Sequence, residues 1–87
     1  MDGHNGNFHE LLDRIAINPK IMTGKPVIRG TRIPVRLVLK MLAQGMSEDE
    51  IIDEYPGLSK VDLKAALAYA SLVLENEEVF PLLEQEA

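Results

Sequence analysis

The chain has 87 residues, a formal net charge of −5 and no cysteine, which is the size of one small domain. Without disulfides or thiolate metal ligands, its small core must depend on helix packing or on association with another chain. No stretch approaches the roughly 18 consecutive apolar residues of a membrane span, and residues 1–13 lack the features of a signal peptide. We therefore expect a cytoplasmic protein with no membrane partner.

Charge is distributed unevenly along the sequence. Residues 41–87 contain eleven acidic residues and two lysines, whereas residues 14–40 contain no acidic residue. This separation predicts one positive and one negative face; the alternative is that the charges only keep a small domain soluble. The seven basic residues of the positive segment are Arg14, Lys20, Lys25, Arg29, Arg32, Arg36 and Lys40.

Three parts are predicted in chain order. Residues 1–13 are an N-terminal arm that we expect to be partly disordered, with one or two helical turns after Asn7. Residues 14–76 form a single domain, which begins with a short strand at 15–18. Residues 77–87 form an acidic and hydrophobic C-terminal tail.

The stretch TGKPVIRGTRIPV, residues 23–35, concentrates glycine, proline and basic residues. Residues 27–28 and 32–33 are β-prone and flank Gly30, which can adopt the positive φ of a tight turn. The sequence therefore predicts a β-hairpin here. Pro26 places its strand at a sheet edge, because proline donates no ladder hydrogen bond.

Two helices are predicted after the hairpin. The first begins at Pro34, where a missing N–H costs nothing, and ends at Gly45, a typical C-terminal cap. The second begins with the capping box formed by Ser47 and Glu50 and ends at the Pro-Gly turn 56–57.

A third helix is predicted over about residues 60–76. Ser59 is its N-cap, and Asp62 occupies the third helical position, which the helix dipole favours for an acid. Its small residues allow another helix to approach closely. We expect its core face to consist of Val61, Leu63, Ala66, Leu67, Ala70, Val73 and Leu74.

The predicted fold class is mainly α, with a short N-terminal β-hairpin and a trihelical helix-turn-helix core of homeodomain-like or winged-helix-like type. The last two helices, joined by a tight turn, have the layout of a helix-turn-helix. In such a unit the second helix enters the major groove with its N-terminal residues. A homodimer is expected from the small core and from the alanines of the third helix, which are Ala65, Ala66, Ala68 and Ala70.

Two stretches closely resemble the bacterial family catalogued as domain of unknown function 433. They are INPKIMTGKPVIRGTRIPV and LAQGMSEDEIIDEYPGLSKVDLKAALAYA, and the resemblance covers about residues 14–75. Its most specific signature is G-K-P-x-I-x-G-T-R-x-x-V, here residues 24–35. The resemblance implies a VapB-type antitoxin-like regulator with a winged-helix or homeodomain-like fold. Such a regulator would bind DNA and neutralise a small PIN-domain-like nuclease toxin encoded beside it.

Basic side chains of the hairpin and of two helices are the candidate DNA contacts. Arginine binds phosphate in a bidentate manner and lysine as a point charge. No Arg, Asn or Gln at the start of the third helix suits base readout, so non-specific contacts by a dimer are favoured. The candidates are Lys25, Arg29, Arg32, Arg36, Lys40, Lys60 and Lys64.

An equally weighted alternative assigns the hairpin arginines a structural role. In that interpretation they pair with the acids of the second helix, Glu50, Asp53 and Glu54, and tie the hairpin to the helices.

The tail is the candidate partner-binding segment. Its apolar residues are flanked by glutamates, as in segments that dock into a groove. Alternatively, the tail folds back over the small core. The residues concerned are Val79, Phe80, Leu82 and Leu83.

Enzymatic and cofactor chemistry is not indicated. The P-loop order G-x-x-x-x-G-K-[ST] is absent, and Pro26 removes an amide that a phosphate would need. HELLD at residues 9–13 lacks the second histidine of a zinc motif, and no nucleophile has a nearby base. We therefore expect no catalytic residues, no metal and no cofactor. The predicted function is an antitoxin-like DNA-binding regulator, and the alternative is a protein–protein interaction module that binds no DNA.

Overall fold

The computed structural model describes residues 7–17 and 25–76. It contains four helices and one two-stranded antiparallel sheet, which confirms a mainly helical fold with a small β element. Within the described ranges, no helix has the length and apolar character to cross a bilayer. The elements are α1 (Phe8–Leu12), β1 (Ile15–Ile17), β2 (Pro26–Ile28), α2 (Val35–Ala43), α3 (Glu48–Glu54) and α4 (Lys60–Glu75).

The sheet joins the predicted strand at 15–18 to the beginning of the predicted hairpin. β1 pairs with β2 in antiparallel register, with Ile15 opposite Ile28 and Ile17 opposite Pro26. Ile15 and Ile28 are both buried in the core. The first strand is therefore confirmed. It is the strand that pairs with β2, a role that the sequence analysis assigned to residues 32–33.

The predicted hairpin between residues 27–28 and 32–33 is confirmed in part. The amide of Ile28 donates to the carbonyl of Ile33 at 2.9 Å, and an antiparallel bridge joins Val27 to Pro34. Residues 32–33 are nevertheless not a strand. Because Pro34 has no N–H, it cannot donate the bond that would extend this pairing.

The predicted ends of α2 are confirmed. Pro34 is its N-cap, and Gly45 follows the helix with φ at 92°. The amide of Gly45 donates to the carbonyl of Leu42 at 3.0 Å, and the amide of Met46 donates to the carbonyl of Met41 at 3.1 Å. These two bonds form a Schellman motif, which requires the left-handed conformation that glycine adopts without strain.

The capping boxes of α3 and α4 are also confirmed. In α3, the Ser47 hydroxyl accepts from the amide of Glu50, and the Glu50 carboxylate accepts from the amide of Ser47. Ser59 and Asp62 exchange the same two bonds at the start of α4. Both boxes satisfy amides that a helix leaves unpaired at its N-terminus.

The core lies between α4 and the elements packed around it. Helix α1 packs against α4, with Leu11 partly buried at its edge. The buried apolar cluster draws on both strands, all three later helices and Leu58 in the connection before α4. Its members are Ile15, Ile28, Val35, Val38, Met41, Ile51, Leu58, Leu63, Ala65 and Ala66.

The predicted core face of α4 is partly wrong. Leu63 and Ala66 are buried as expected, but Val61, Leu67 and Leu74 are 45%, 53% and 61% exposed. The helix instead turns Ala65 and Ala66 inward, and these small side chains let neighbouring elements approach closely. Val61, Leu67 and Leu74 lie outside this contact.

Candidate functional site

The turn after β2 is held by the side chain of Thr31. Its hydroxyl donates to the carbonyl of Ile28 at 2.7 Å and accepts from the amide of Ile33 at 2.9 Å. Gly30 has φ at 84°, which allows the chain to reverse before Thr31. The Gly-Thr pair of the signature therefore builds the turn that leads into α2.

Arg29 fastens this turn to the segment before β1. Its Nε donates to the carbonyl of Asp13 at 2.6 Å, and its Nη2 donates to the carbonyl of Ile15 at 3.2 Å. The backbone amide of Arg29 also donates to the carbonyl of Arg14 at 2.7 Å. This candidate DNA contact thus uses its guanidinium to hold the protein's own backbone.

An ion pair between an exposed arginine and a buried aspartate connects the same segment to α4. Arg14 Nε lies 2.6 Å from Asp62 Oδ1, and the two side chains are 45% and 5% exposed. The other carboxylate oxygen, Oδ2, accepts from the amide of Ser59 at 2.9 Å and from its hydroxyl at 3.1 Å. Asp62 therefore has hydrogen-bond partners on both oxygens, as a buried carboxylate requires.

Sequence reasoning identified Asp62 as a capping residue but missed its ion pair with Arg14. The two residues are 48 positions apart, and no periodicity links them. The usable signal was the position of Asp62 itself, because an acid at the third position of an otherwise apolar helix is expected to need a partner when it is buried.

The start of α4 offers little to a DNA base. Asp62 and Leu63 are buried, which leaves Lys60, Val61 and Lys64 as exposed residues of the first helical turns. Lys60 Nζ lies 3.8 Å from Asp49 Oδ1, and both side chains are largely exposed, so this pair contributes little to stability. None of the exposed side chains here forms the bidentate contacts typical of base readout.

Four further candidate DNA contacts are exposed beside the turn and along α2: Lys25, Arg32, Arg36 and Lys40. None of them has an ion-pair partner among residues 7–17 and 25–76. Arg36 and Lys40 are four positions apart and share one face of α2. We call Lys25, Arg32, Arg36 and Lys40 the basic stripe.

The alternative pairing of hairpin arginines with α3 is wrong for the described part of the chain. The ion pairs there join Arg14 to Asp62 and Lys60 to Asp49. Arg29 is structural, as that alternative supposed, but its acceptors are backbone carbonyls and not the acids at 50, 53 and 54.

An apolar groove of about 300 Å³ lies between α2 and α4 beside β2. Arg36 is the one charged side chain among its described lining residues. The sequence did not predict the groove, because the groove depends on how α2, α4 and β2 pack together. The lining consists of Pro26, Val35, Arg36, Leu39, Tyr69, Ala70, Val73 and Leu74.

The candidate partner-binding residues of the tail lie outside the described residues: Val79, Phe80, Leu82 and Leu83. Within residues 7–17 and 25–76, no group of three His, Cys, Asp or Glu side chains is placed to hold a metal ion.

A family model described as "Protein of unknown function (DUF433)" matches residues 15–70. The chain belongs to the DUF433 family. This confirms the family predicted from the signature at residues 24–35.

The DUF433 chain is similar to proteins from three organisms. It is 36% identical over 56 residues to the uncharacterized protein y4eO of Sinorhizobium fredii, across 64% of this chain and 25% of that protein. It is 58% identical over 24 residues to an uncharacterized protein of Archaeoglobus fulgidus, across 28% of this chain and 67% of that one.

A crystal structure of a DUF433 member from Anabaena variabilis has a similar fold. The TM-score is 0.67 at 37% identity, and the match covers 77% of this chain and 66% of that chain. The DUF433 chain thus spans a quarter of the Sinorhizobium protein and just under two thirds of the Anabaena one.

Proposed function

We propose that the protein is an antitoxin-like, DNA-binding regulator of a bacterial toxin–antitoxin module. It holds a duplex through phosphate contacts made by the basic stripe, Lys25, Arg32, Arg36 and Lys40. The observation that carries this proposal is the exposure of all four side chains without an ion-pair partner in the described residues. In a chain of net charge −5, such a stripe gives a phosphate backbone a local site of attraction.

In this proposal Arg29 acts through the turn and not on DNA. By holding the carbonyls of Asp13 and Ile15, it sets the position of the turn that carries Arg32 and leads to Arg36. Lys60 and Lys64 add phosphate contacts at the start of α4, which serves as the second helix of a helix-turn-helix with α3. Their contribution is smaller, because Lys60 lies near Asp49 and the buried Asp62 is in the same turn.

We also propose that the protein acts as a cytoplasmic homodimer. One stripe of four bases provides few phosphate contacts, and a second copy doubles them. Three of the alanines that suggested a dimer, Ala65, Ala66 and Ala68, are buried within the single chain. The exposed Val61 of α4 is the better candidate for the contact between copies.

A matched pair of double variants tests the DNA surface. Arg36→Ala/Lys40→Ala removes two bases four residues apart on α2, and Lys60→Ala/Lys64→Ala removes two bases with the same spacing on α4. Titration of promoter DNA by fluorescence anisotropy at several salt concentrations measures the slope of log K against log salt. Each lost phosphate contact reduces the magnitude of this slope by about 0.9. We therefore expect Arg36→Ala/Lys40→Ala to reduce the magnitude by about 2 per bound chain. The α4 pair should lower it by less than half as much.

Three outcomes of this experiment would contradict the proposal. If the parent protein shows no DNA retention at low salt, it is not a DNA-binding regulator. A larger effect of Lys60→Ala/Lys64→Ala would place the contact on α4 instead of α2. A monomeric mass by light scattering at the concentrations that bind DNA would exclude the dimer.

The apolar groove favours a second candidate, an interaction module that neutralises or scaffolds a protein partner without binding DNA. A surface lined by Leu39, Val73 and Leu74 suits a protein ligand and not a polyanion. Co-expression with a PIN-domain-like nuclease encoded beside the gene distinguishes the two functions. A stable complex with that nuclease, formed by a chain that retains no promoter DNA, would favour the interaction module.

A further inference from the structure

The groove between α2 and α4 is an apolar surface that needs a cover. Water in contact with Leu39, Val73 and Leu74 gains few hydrogen bonds, so removing this surface from solvent is favourable.

Basic residues in the lining and next to it in sequence restrict what can cover the groove. Arg36 belongs to the lining, Lys25 precedes Pro26, and Lys40 follows Leu39. All three bases are exposed, and none has an ion-pair partner within the described ranges. A suitable occupant therefore combines large apolar side chains with acidic ones.

The C-terminal tail, residues 77–87, has this composition. It contains four glutamates and no basic residue, and its apolar side chains are Val79, Phe80, Leu82 and Leu83.

The tail also begins at the groove. It follows Asn76, the C-cap of α4, two positions after the lining residue Leu74. The Asn76 side chain donates to the carbonyl of Leu72 at 2.8 Å, which ends the helix at this point. From Tyr69 to Leu74 the groove runs about 8 Å along α4, whereas eleven extended residues span about 36 Å. The tail is therefore long enough to turn back and cover it.

We propose that the tail of each chain folds back at Asn76 and seats its apolar side chains in the groove between its own α2 and α4. The glutamates then face Lys25, Arg36 and Lys40. The docking does not require DNA binding, but a docked tail competes with DNA for these three bases of the basic stripe.

Tryptophan fluorescence tests the proposal in the full chain. The protein has no tryptophan, so Phe80→Trp creates a single reporter in the tail. We expect its emission maximum at a shorter wavelength than in denaturant, and we expect the maximum to stay constant on dilution. Adding Leu74→Glu should shift the emission to longer wavelength, because it places a carboxylate in the groove.

Leu67→Glu is the matched control. Leu67 lies two turns before Leu74 on the same helix, is similarly exposed and is not among the lining residues. We expect Leu67→Glu to leave the emission of the Phe80→Trp chain unchanged. Because both leucines are more than half exposed, neither variant should unfold the domain, which far-UV circular dichroism checks.

A cysteine pair provides a second measurement, since the natural chain has no cysteine. Leu39→Cys/Leu82→Cys should form a disulfide within one chain under mild oxidation, whereas Leu67→Cys/Leu82→Cys should do so much more slowly. The proposal is overturned if the Phe80→Trp emission matches that of the denatured chain, or if Leu74→Glu and Leu67→Glu act alike. Emission that shifts on dilution, or disulfides formed only between chains, would assign the groove to another copy's tail and also overturn it.

Discussion

The two halves of α4 have opposite environments. In the first half, Asp62 and Leu63 are buried, and the helix start is held by Ser59 and Arg14. In the second half, Leu74 is 61% exposed and lines the groove together with Val73. A DNA-reading helix would be expected to expose its start and bury its apolar remainder. The difference shows that the start of α4 is a structural anchor, whereas its end borders the apolar groove.

The cause lies in what packs against each half. The segment from α1 to β1 reaches the start of α4, and Arg14 at its centre neutralises Asp62. At the other end, α2 and α4 leave the groove between Leu39 and Val73. The segment that carries Arg14 therefore covers the start of α4, whereas the end of the helix borders the groove.

The largest expected effect compares two leucines of this helix. Leu63→Ala should lower the free energy of unfolding by about 3 kcal/mol, because it removes a fully buried side chain and leaves a cavity. Leu74→Ala should cost less than about 1 kcal/mol, since most of that side chain is already exposed. Urea unfolding followed by circular dichroism measures both. Equal losses would show that the end of α4 is covered as completely as its start.

The second expected effect concerns the ion pair. Asp62→Ala removes the partner of Arg14 and the capping bonds of Ser59, so we expect a loss of about 2–3 kcal/mol. Asp53→Ala, an exposed position on α3, should stay within about 0.5 kcal/mol of the parent. The same unfolding measurement applies. A loss for Asp62→Ala no larger than for Asp53→Ala would mean that the start of α4 does not depend on this anchor.

Local sequence patterns predicted the helix ends well. Gly45, the Ser47–Glu50 box and the Ser59–Asp62 box each act within a few residues, so their geometry follows from spacing alone. The partner of β2 and the buried face of α4 were not predicted correctly, because they depend on contacts between distant segments. The candidate site was also predicted only in part. The exposure of the basic stripe followed from the polarity of its side chains. The hydrogen bonds of Arg29 to backbone carbonyls and the groove could not be derived from periodicity.

The smallest expected effect compares Ser59, the N-cap of α4, with Ser71 inside the helix. Ser59→Ala should cost about 1 kcal/mol, because it removes the hydroxyl that accepts from the amide of Asp62 and donates to its carboxylate. Ser71→Ala changes an exposed position inside the helix and should be neutral or slightly stabilising, since alanine is the better helix former. Thermal unfolding of both variants and of the parent protein measures the change in the free energy of unfolding that each substitution causes. If Ser71→Ala costs as much as Ser59→Ala, Ser71 has a bonding partner of its own, and the second half of α4 is more constrained than the comparison of the two halves implies.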